Sequence, residues 1–398
     1  MLTNRQLFQL HMGLPSVVSD PLEIVKAEGI YLYDVSGDQY IDLVSGVSVS
    51  NVGHRHPMVL SAISEQLEAY MHVMVYGKFL HSPQVKLAAR LASVLPPALQ
   101  SVFFVNSGSE AIEGALKLAK RLTNRTELVS FRHAYHGGTA GALSIMGHER
   151  LKNAFRPLLP ATRLLDFNAV DQVNQISSQT AAVLIEPVQA EAGIILPEPG
   201  FLQALRDRCD ETGAILIFDE VQMGFGRSGK LFAFEKEAVI PDILCLAKAM
   251  GGGMPLGAFI SSKERMQALT HHPELGHITT FGGHPVSCAA SLAALEIILN
   301  DELYLKAEGK GRMYEDALHD HAAIRQIRRS GLMVGIELQP DIPMYKLMQQ
   351  IFKQRLIVDQ FLFNDRSFRI APPLTITHAE IEESAGRIVK ALNLTIGS

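Results

Sequence analysis

Residues 214–219, Ala214-Ile215-Leu216-Ile217-Phe218-Asp219, carry five apolar side chains into a carboxylate, with Glu220-Val221-Gln222 directly behind. An apolar run this short, bounded by polar residues, reads as a strand buried on both faces, as in parallel sheets. Val102 to Val105, Leu128 to Phe131, Ala182 to Ile185 and Ile243 to Leu246 read the same way. Longer helical patterns separate these runs from about Gly53 to Pro285, and the alternation predicts a mostly parallel sheet covered by helices. Ligands of open α/β sheets sit beyond the carboxyl ends of the strands, so the residues just past each run are where chemistry is expected.

The flanks differ from this middle. Ile30 to Leu43 alternate polar and apolar residues around Ser36-Gly37-Asp38, a hairpin signal. The last hundred or so residues predict a smaller α/β unit with a strand at Met333 to Leu338 and a helix near Met344 to Arg355. A final helix opens on the capping box Thr377-His378-Ala379-Glu380. The chain has no repeats, low-complexity tracts or long linkers, and its 398 residues exceed what one core holds.

Composition narrows the function. A net charge of -5 and a pI near 6.3 supply no basic field, so nucleic acid is not an expected partner. Cys209, Cys245 and Cys288 are too few and too scattered for a disulfide framework or a zinc cluster, and read as reduced thiols. No stretch is apolar for long enough to span a bilayer, and Asn4-Arg5-Gln6 interrupts any leader-like run. A soluble cytoplasmic protein without a membrane partner is the expectation.

Four clusters fall at expected strand ends. Asn106-Ser107-Gly108-Ser109-Glu110-Ala111 opens a helix, whose free N–H groups and dipole can hold an anion, although an ordinary capped helix start has the same residues. Asp219 closes a buried strand and needs a cationic partner or several donors; a pyridinium nitrogen would serve, as would a turn or a magnesium ion, but no Walker A sequence accompanies it. Lys248, in Ala247-Lys248-Ala249-Met250 ahead of Gly251-Gly252-Gly253, is either a desolvated nucleophile or a solvated surface charge. Thr279-Thr280-Phe281-Gly282-Gly283-His284 is a second phosphate contact or a plain loop. His54 and His56 lack a third ligand nearby, so they are read as structural and no metal is expected.

From Gly37 to Pro373 the chain resembles the class III, fold-type I aminotransferases that depend on pyridoxal 5'-phosphate (PLP), the group that includes ornithine, acetylornithine and 4-aminobutyrate aminotransferases. The most specific passage runs from Leu216-Ile217-Phe218-Asp219-Glu220-Val221-Gln222 through Gly224, Gly226-Arg227 and Pro241-Asp242 to Lys248. The resemblance implies a fold-type I architecture: a large domain, 53–290, with a mostly parallel seven-stranded sheet between helices, and a smaller α/β domain built from both chain ends, 1–52 and 291–398. It implies a Schiff base on Lys248, with Asp219 on the pyridinium nitrogen of the cofactor. Tyr135 and Val221 would sandwich the ring, Gln222 would bond its phenolic oxygen, and His136 and Glu186 would complete its surroundings. Ser107, Gly108 and Ser109 would bind the phosphate together with the partner subunit's Thr280, which implies an obligate homodimer.

For substrate, the resemblance assigns Arg369, in Phe368-Arg369-Ile370-Ala371-Pro372-Pro373, to the α-carboxylate of glutamate, and Glu191 to masking that arginine when an ω-amine donor is bound. Val47 would make the entrance apolar. The sequence departs from these relatives after Tyr135-His136-Gly137, where Gly138 stands in place of a carboxylate-binding arginine. The expectation is a ping-pong aminotransferase with glutamate and 2-oxoglutarate as one couple and an ω-amine or amino acid as the other donor. A PLP-dependent aminomutase, decarboxylase or racemase is its first rival, and a nucleotide-binding protein the second; no Gly-x-Gly-x-x-Gly supports the latter.

Overall fold

A computed structural model describes residues 2–16 and 21–397. Near the N-terminus, β1 (Ile24–Glu28), β2 (Tyr31–Asp34) and β3 (Gln39–Asp42) form an antiparallel meander. The β2–β3 turn is the one expected, and Gly37 supplies the positive φ of 83° that it requires.

The middle of the chain builds a seven-stranded sheet in which each strand end can be placed. Its members are β4 (Ser101–Val105), β5 (Glu127–Phe131), β6 (Thr162–Leu165), β7 (Thr180–Ile185), β8 (Ile215–Asp219), β9 (Ile243–Leu246) and β10 (Gly257–Ser261). They lie in the order β4-β10-β9-β8-β7-β5-β6. Only β10 runs against the others. All five residues of β8 are buried, as two covered faces demand. Leu216 and Phe218 pack into the core on one face, Ile215 and Ile217 into the core on the other, so the two-residue period of the strand divides one apolar run between two layers.

The five anticipated strands are present. Two were not anticipated. β6 is an edge strand with a partly exposed Thr-Arg-Leu-Leu sequence, and β10 returns directly from the Lys248 turn without a crossover helix, which is why neither fits a buried βαβ pattern.

The C-terminal part contributes β11 (Ile324–Ser330), β12 (Met333–Leu338), the helix Met344–Lys353, β13 (Leu356–Ile357), β14 (Asp359–Phe361), β15 (Asn364–Ile370) and the helix His378–Ile396 with its capping box at Thr377. β11-β12-β15-β14 form an antiparallel sheet. β13 pairs in parallel with β3, so the two chain ends share one small sheet. A separate apolar cluster joins the two parts of the molecule, with Val188, Ala190 and Met223 packed against Met333, Phe361 and Ala371. His54 pairs with Asp42 at 2.8 Å and His56 caps the helix Pro57–Ala69, which accounts for both histidines.

Candidate active site

The carboxyl ends of β4, β8 and β9 open onto a cavity of about 340 Å³. A larger one, about 640 Å³, lies between residues 75–78 and 269–282, with Thr279 and Gly282 in its wall and neither Asp219 nor Lys248.

Ser107 follows β4 as the N-cap of the helix Gly108–Thr123, its hydroxyl accepting from Glu110 N at 3.2 Å. The N–H groups of Gly108 and Ser109 have no acceptor within the helix and stand in the cavity wall, where the helix dipole favours an anion. Glycine is required at 108, because an added Cβ would lie 2.8 Å from Val221 Cγ1. Gly137, at φ 127°, is likewise enforced, since a Cβ there would meet Ser109 Oγ. Ser109 Oγ accepts from Gly138 N at 3.2 Å, tying the two loops together.

Asp219 ends β8 in a buried position. Its Oδ1 accepts from Val221 N at 3.0 Å and its Oδ2 lies 2.8 Å from His136 Nδ1. With Asp219 ionised, His136 carries its proton on Nδ1, which leaves Nε2 to accept from Ser130 Oγ at 3.2 Å. Glu186, just beyond β7, receives the backbone N–H groups of Tyr135 and Ala190. Burial and the neighbouring Asp219 nevertheless raise its carboxyl well above the usual range.

Lys248 follows β9 in a short turn, at φ 49°, a left-handed conformation that costs a lysine roughly 1–3 kcal/mol and is characteristic of functional positions. It is half-buried in the cavity wall. Burial lowers the pKa of its amine; Glu191 opposes that shift and Arg369 adds to it.

Behind Gln222 lies a second constellation. Arg369 Nη1 and Nη2 donate to Glu191 Oε1 and Oε2 at 2.6 and 3.1 Å, a bidentate pair whose side chains are 3% and 4% exposed. The Gln222 amide fits between them with its nitrogen donating to Glu191 Oε1 at 3.2 Å and its oxygen accepting from Arg369 Nη1 at 2.7 Å. One amide N–H then remains for another acceptor. Burial pushes Glu191 up, but the charge and hydrogen bonds of Arg369 outweigh it and hold the carboxyl below its ordinary value.

Of the residues singled out from the sequence, Ser107, Gly108, Ser109, Tyr135, His136, Glu186, Asp219, Val221, Gln222 and Lys248 line this one cavity. Glu191 and Arg369 lie behind its wall. Val47 is half-buried in a left-handed turn, with φ of 51°, 62°, 63° and 61° at Ser45 to Ser48, and the residue of this segment that lines the cavity is Val49. Thr280 is exposed and outside the lining. Val49 and the wall residues Met254, Pro255 and Leu256 were missed in the sequence, since apolar residues after a glycine turn carry no chemical signal.

The residue set fits PLP: an open helix N-terminus for a phosphate, a buried carboxylate for a ring cation, and a desolvated lysine for an aldehyde. The comparisons agree. The family model for aminotransferase class-III matches residues 15–392. The chain is 40% identical over 375 residues to the acetylornithine aminotransferase of Methanopyrus kandleri, covering 94% of each chain. Its structure resembles the ornithine aminotransferase of Toxoplasma gondii ME49, with a TM-score of 0.91 at 28% identity over 100% of this chain and 96% of that one. An amine transaminase from an uncultivated Pseudomonas species in its PLP-bound form gives a TM-score of 0.89 at 28% identity, over 97% and 99% of the two chains. Fold and site define a fold-type I PLP-dependent transferase. More narrowly, the chain belongs to the class III aminotransferases, and its cofactor is pyridoxal 5'-phosphate.

Proposed function

We propose that this aminotransferase works by a ping-pong cycle, with glutamate and 2-oxoglutarate as one couple and an ω-amine lacking a second carboxylate as the other donor. The observation that carries this reading is the buried Glu191–Arg369 pair next to Gln222 and Lys248. Paired, Arg369 is masked and its guanidinium is withheld from a substrate carboxylate. With Glu191 displaced, the guanidinium fork matches the α-carboxylate of a dicarboxylate in bidentate geometry.

When bound, PLP supplies an electron sink that stabilises negative charge at the substrate carbon. Lys248 Nζ, in the cavity wall with its amine pKa lowered by burial, would hold the cofactor covalently and, when free, could carry a proton at Nζ. Asp219, fixed by His136 and Val221 N, would stand as the counter-charge to the ring nitrogen. Val221, pressed against the start of the helix at Gly108, and Tyr135 both line the cavity and would hold the ring. Glu186 keeps Tyr135 in place through its backbone N–H.

Gly138 supports the choice of donor. Position 138 carries no side chain, and a Cβ placed there meets nothing within 4 Å, so the residue that would offer a guanidinium to a second carboxylate is absent from an open position. An acetylornithine-like donor, suggested by the relative's name, would find no cation at this end.

Homodimer formation fits the surface around Thr280. Ile278, Phe281, Leu275, Phe79 and Leu80 are exposed by 46, 54, 57, 59 and 87%, beside the larger cavity, and apolar surface of this extent calls for a partner. A second copy would cover it and bring the partner subunit's Thr280 to the phosphate end of the site. Among the described residues no helix is long and apolar enough to cross a membrane; a cytoplasmic location is proposed from the composition.

A donor screen with 2-oxoglutarate, reading glutamate formation, tests the reaction. Glutamate from ω-amines, with acetylornithine poor, supports it. No glutamate from any donor would favour an aminomutase, decarboxylase or racemase on the same cofactor.

A further inference from the structure

The Glu191–Arg369 pair has a third member. Arg369 Nη2 lies 3.0 Å from Asp359 Oδ2 and 3.2 Å from the carbonyl oxygen of Gln360, and its guanidinium carbon stands 5.1 Å from the centre of the Phe361 ring. These three consecutive residues are the whole of β14. The turn that follows reaches the other partner: Leu362 N donates to Glu191 Oε2 and Phe363 N to the Glu191 carbonyl oxygen, both at 3.1 Å. One hairpin therefore touches both halves of the pair.

The contacts are unequal. Apart from Arg369, the Glu191 carboxylate is held by one backbone N–H and the Gln222 amide, neutral donors of modest net worth. Arg369 keeps a carboxylate, a carbonyl and an aromatic face that do not depend on Glu191. If Glu191 leaves, the guanidinium stays where β14 fixes it, with the edge that Glu191 occupied turned to an incoming carboxylate.

Resting on the reading of Arg369 as the dicarboxylate receptor, we infer that Asp359 is the positioning residue that holds Arg369 in place while Glu191 is the member that moves. Asp359 is 43% exposed, so its charge is screened and competes weakly with a bound carboxylate. Its effect is geometric: it fixes a fork whose binding depends on orientation. An acceptor oxygen at this position is what matters, and asparagine retains one.

The test uses the PLP-loaded enzyme and glutarate, an unreactive five-carbon dicarboxylate, titrated by calorimetry, alongside KM and kcat for 2-oxoglutarate. Asp359→Ala weakens glutarate and raises KM about fivefold, with kcat within about twofold. Asp359→Ser, too short to reach Nη2, behaves the same way, and Asp359→Asn stays near the parent protein. Tighter glutarate binding in both the alanine and asparagine variants would make Asp359 a charge competitor and overturn the inference. Unaltered binding in the alanine and serine variants would overturn it too. Arg369→Ala separates the levels: if it leaves glutarate binding intact, the receptor reading fails and takes the inference with it. If it abolishes binding while Asp359→Ala has no effect, only the role of Asp359 is lost.

Discussion

Ser107, Asp219 and Lys248 each stand at or just past the carboxyl end of a strand of one sheet, whereas Glu191 and Arg369 meet across 178 residues of sequence and belong to different parts of the molecule. The first group is positioned by ladder register: β8 and β9 pair directly, Asp219 opposite Cys245, three residues before Lys248. The second group depends on how the β14–β15 hairpin docks against the Glu191 loop. The proposed two-substrate cycle asks one cavity for a rigid half that holds the cofactor and a reversible half that serves alternating substrates. Packed strand ends are costly to move, while a bidentate ion pair can exchange one carboxylate for another of the same shape.

Asp219→Asn probes the rigid half and carries the largest expected effect. It removes the negative charge proposed to face the ring nitrogen, and kcat should fall by about 10²–10³, the scale of losing one preorganised electrostatic contact. A fall within tenfold, measured in steady state with saturating substrates, would place the ring's counter-charge elsewhere.

Arg369→Ala should act on one half-reaction only. KM for 2-oxoglutarate rises about 30-fold or more, the equivalent of the 2–3 kcal/mol carried by a charge-assisted pair. Cofactor bleaching by an amine donor alone should continue. Equal damage to both half-reactions would mean that the two regions are not separable.

Gly138→Arg sharpens the contrast by adding a function. Open space at this position accommodates the side chain, and donors bearing a distal carboxylate should improve about tenfold in kcat/KM relative to a plain ω-amine. No change in this ratio would show that donor choice is set elsewhere.

The smallest expected effect links the halves. Glu191 raises the pKa of the Lys248 amine against the lowering by burial, so Glu191→Gln lowers it further and leaves more neutral amine at a given pH. The pH profile of PLP capture by the apoenzyme, read by absorbance, should therefore shift to lower pH; a shift upward would reverse the assigned sign.

The same contrast explains what could be read in advance. Buried apolar strands ending in Asp219 or leading to Lys248 announce themselves through local pattern, and the site residues after them followed. β10 was hidden because it returns antiparallel from a glycine turn, and β6 because an edge strand need not be apolar. Asp359 gave no signal at all, as an acid on a short, half-exposed strand becomes meaningful only once Arg369 lies 3.0 Å away. In the left-handed turn of Ser45 to Ser48 it is Val49, two residues past Val47, that lines the cavity, and sequence position alone does not announce such a turn.

Borohydride reduction of the PLP-loaded protein, followed by peptide mapping, tests the centre of the account. A single phosphopyridoxyl label on Lys248, absent from Lys248→Ala, is the result this structure predicts. A label on another lysine, or undiminished labelling and turnover in the alanine variant, would contradict it.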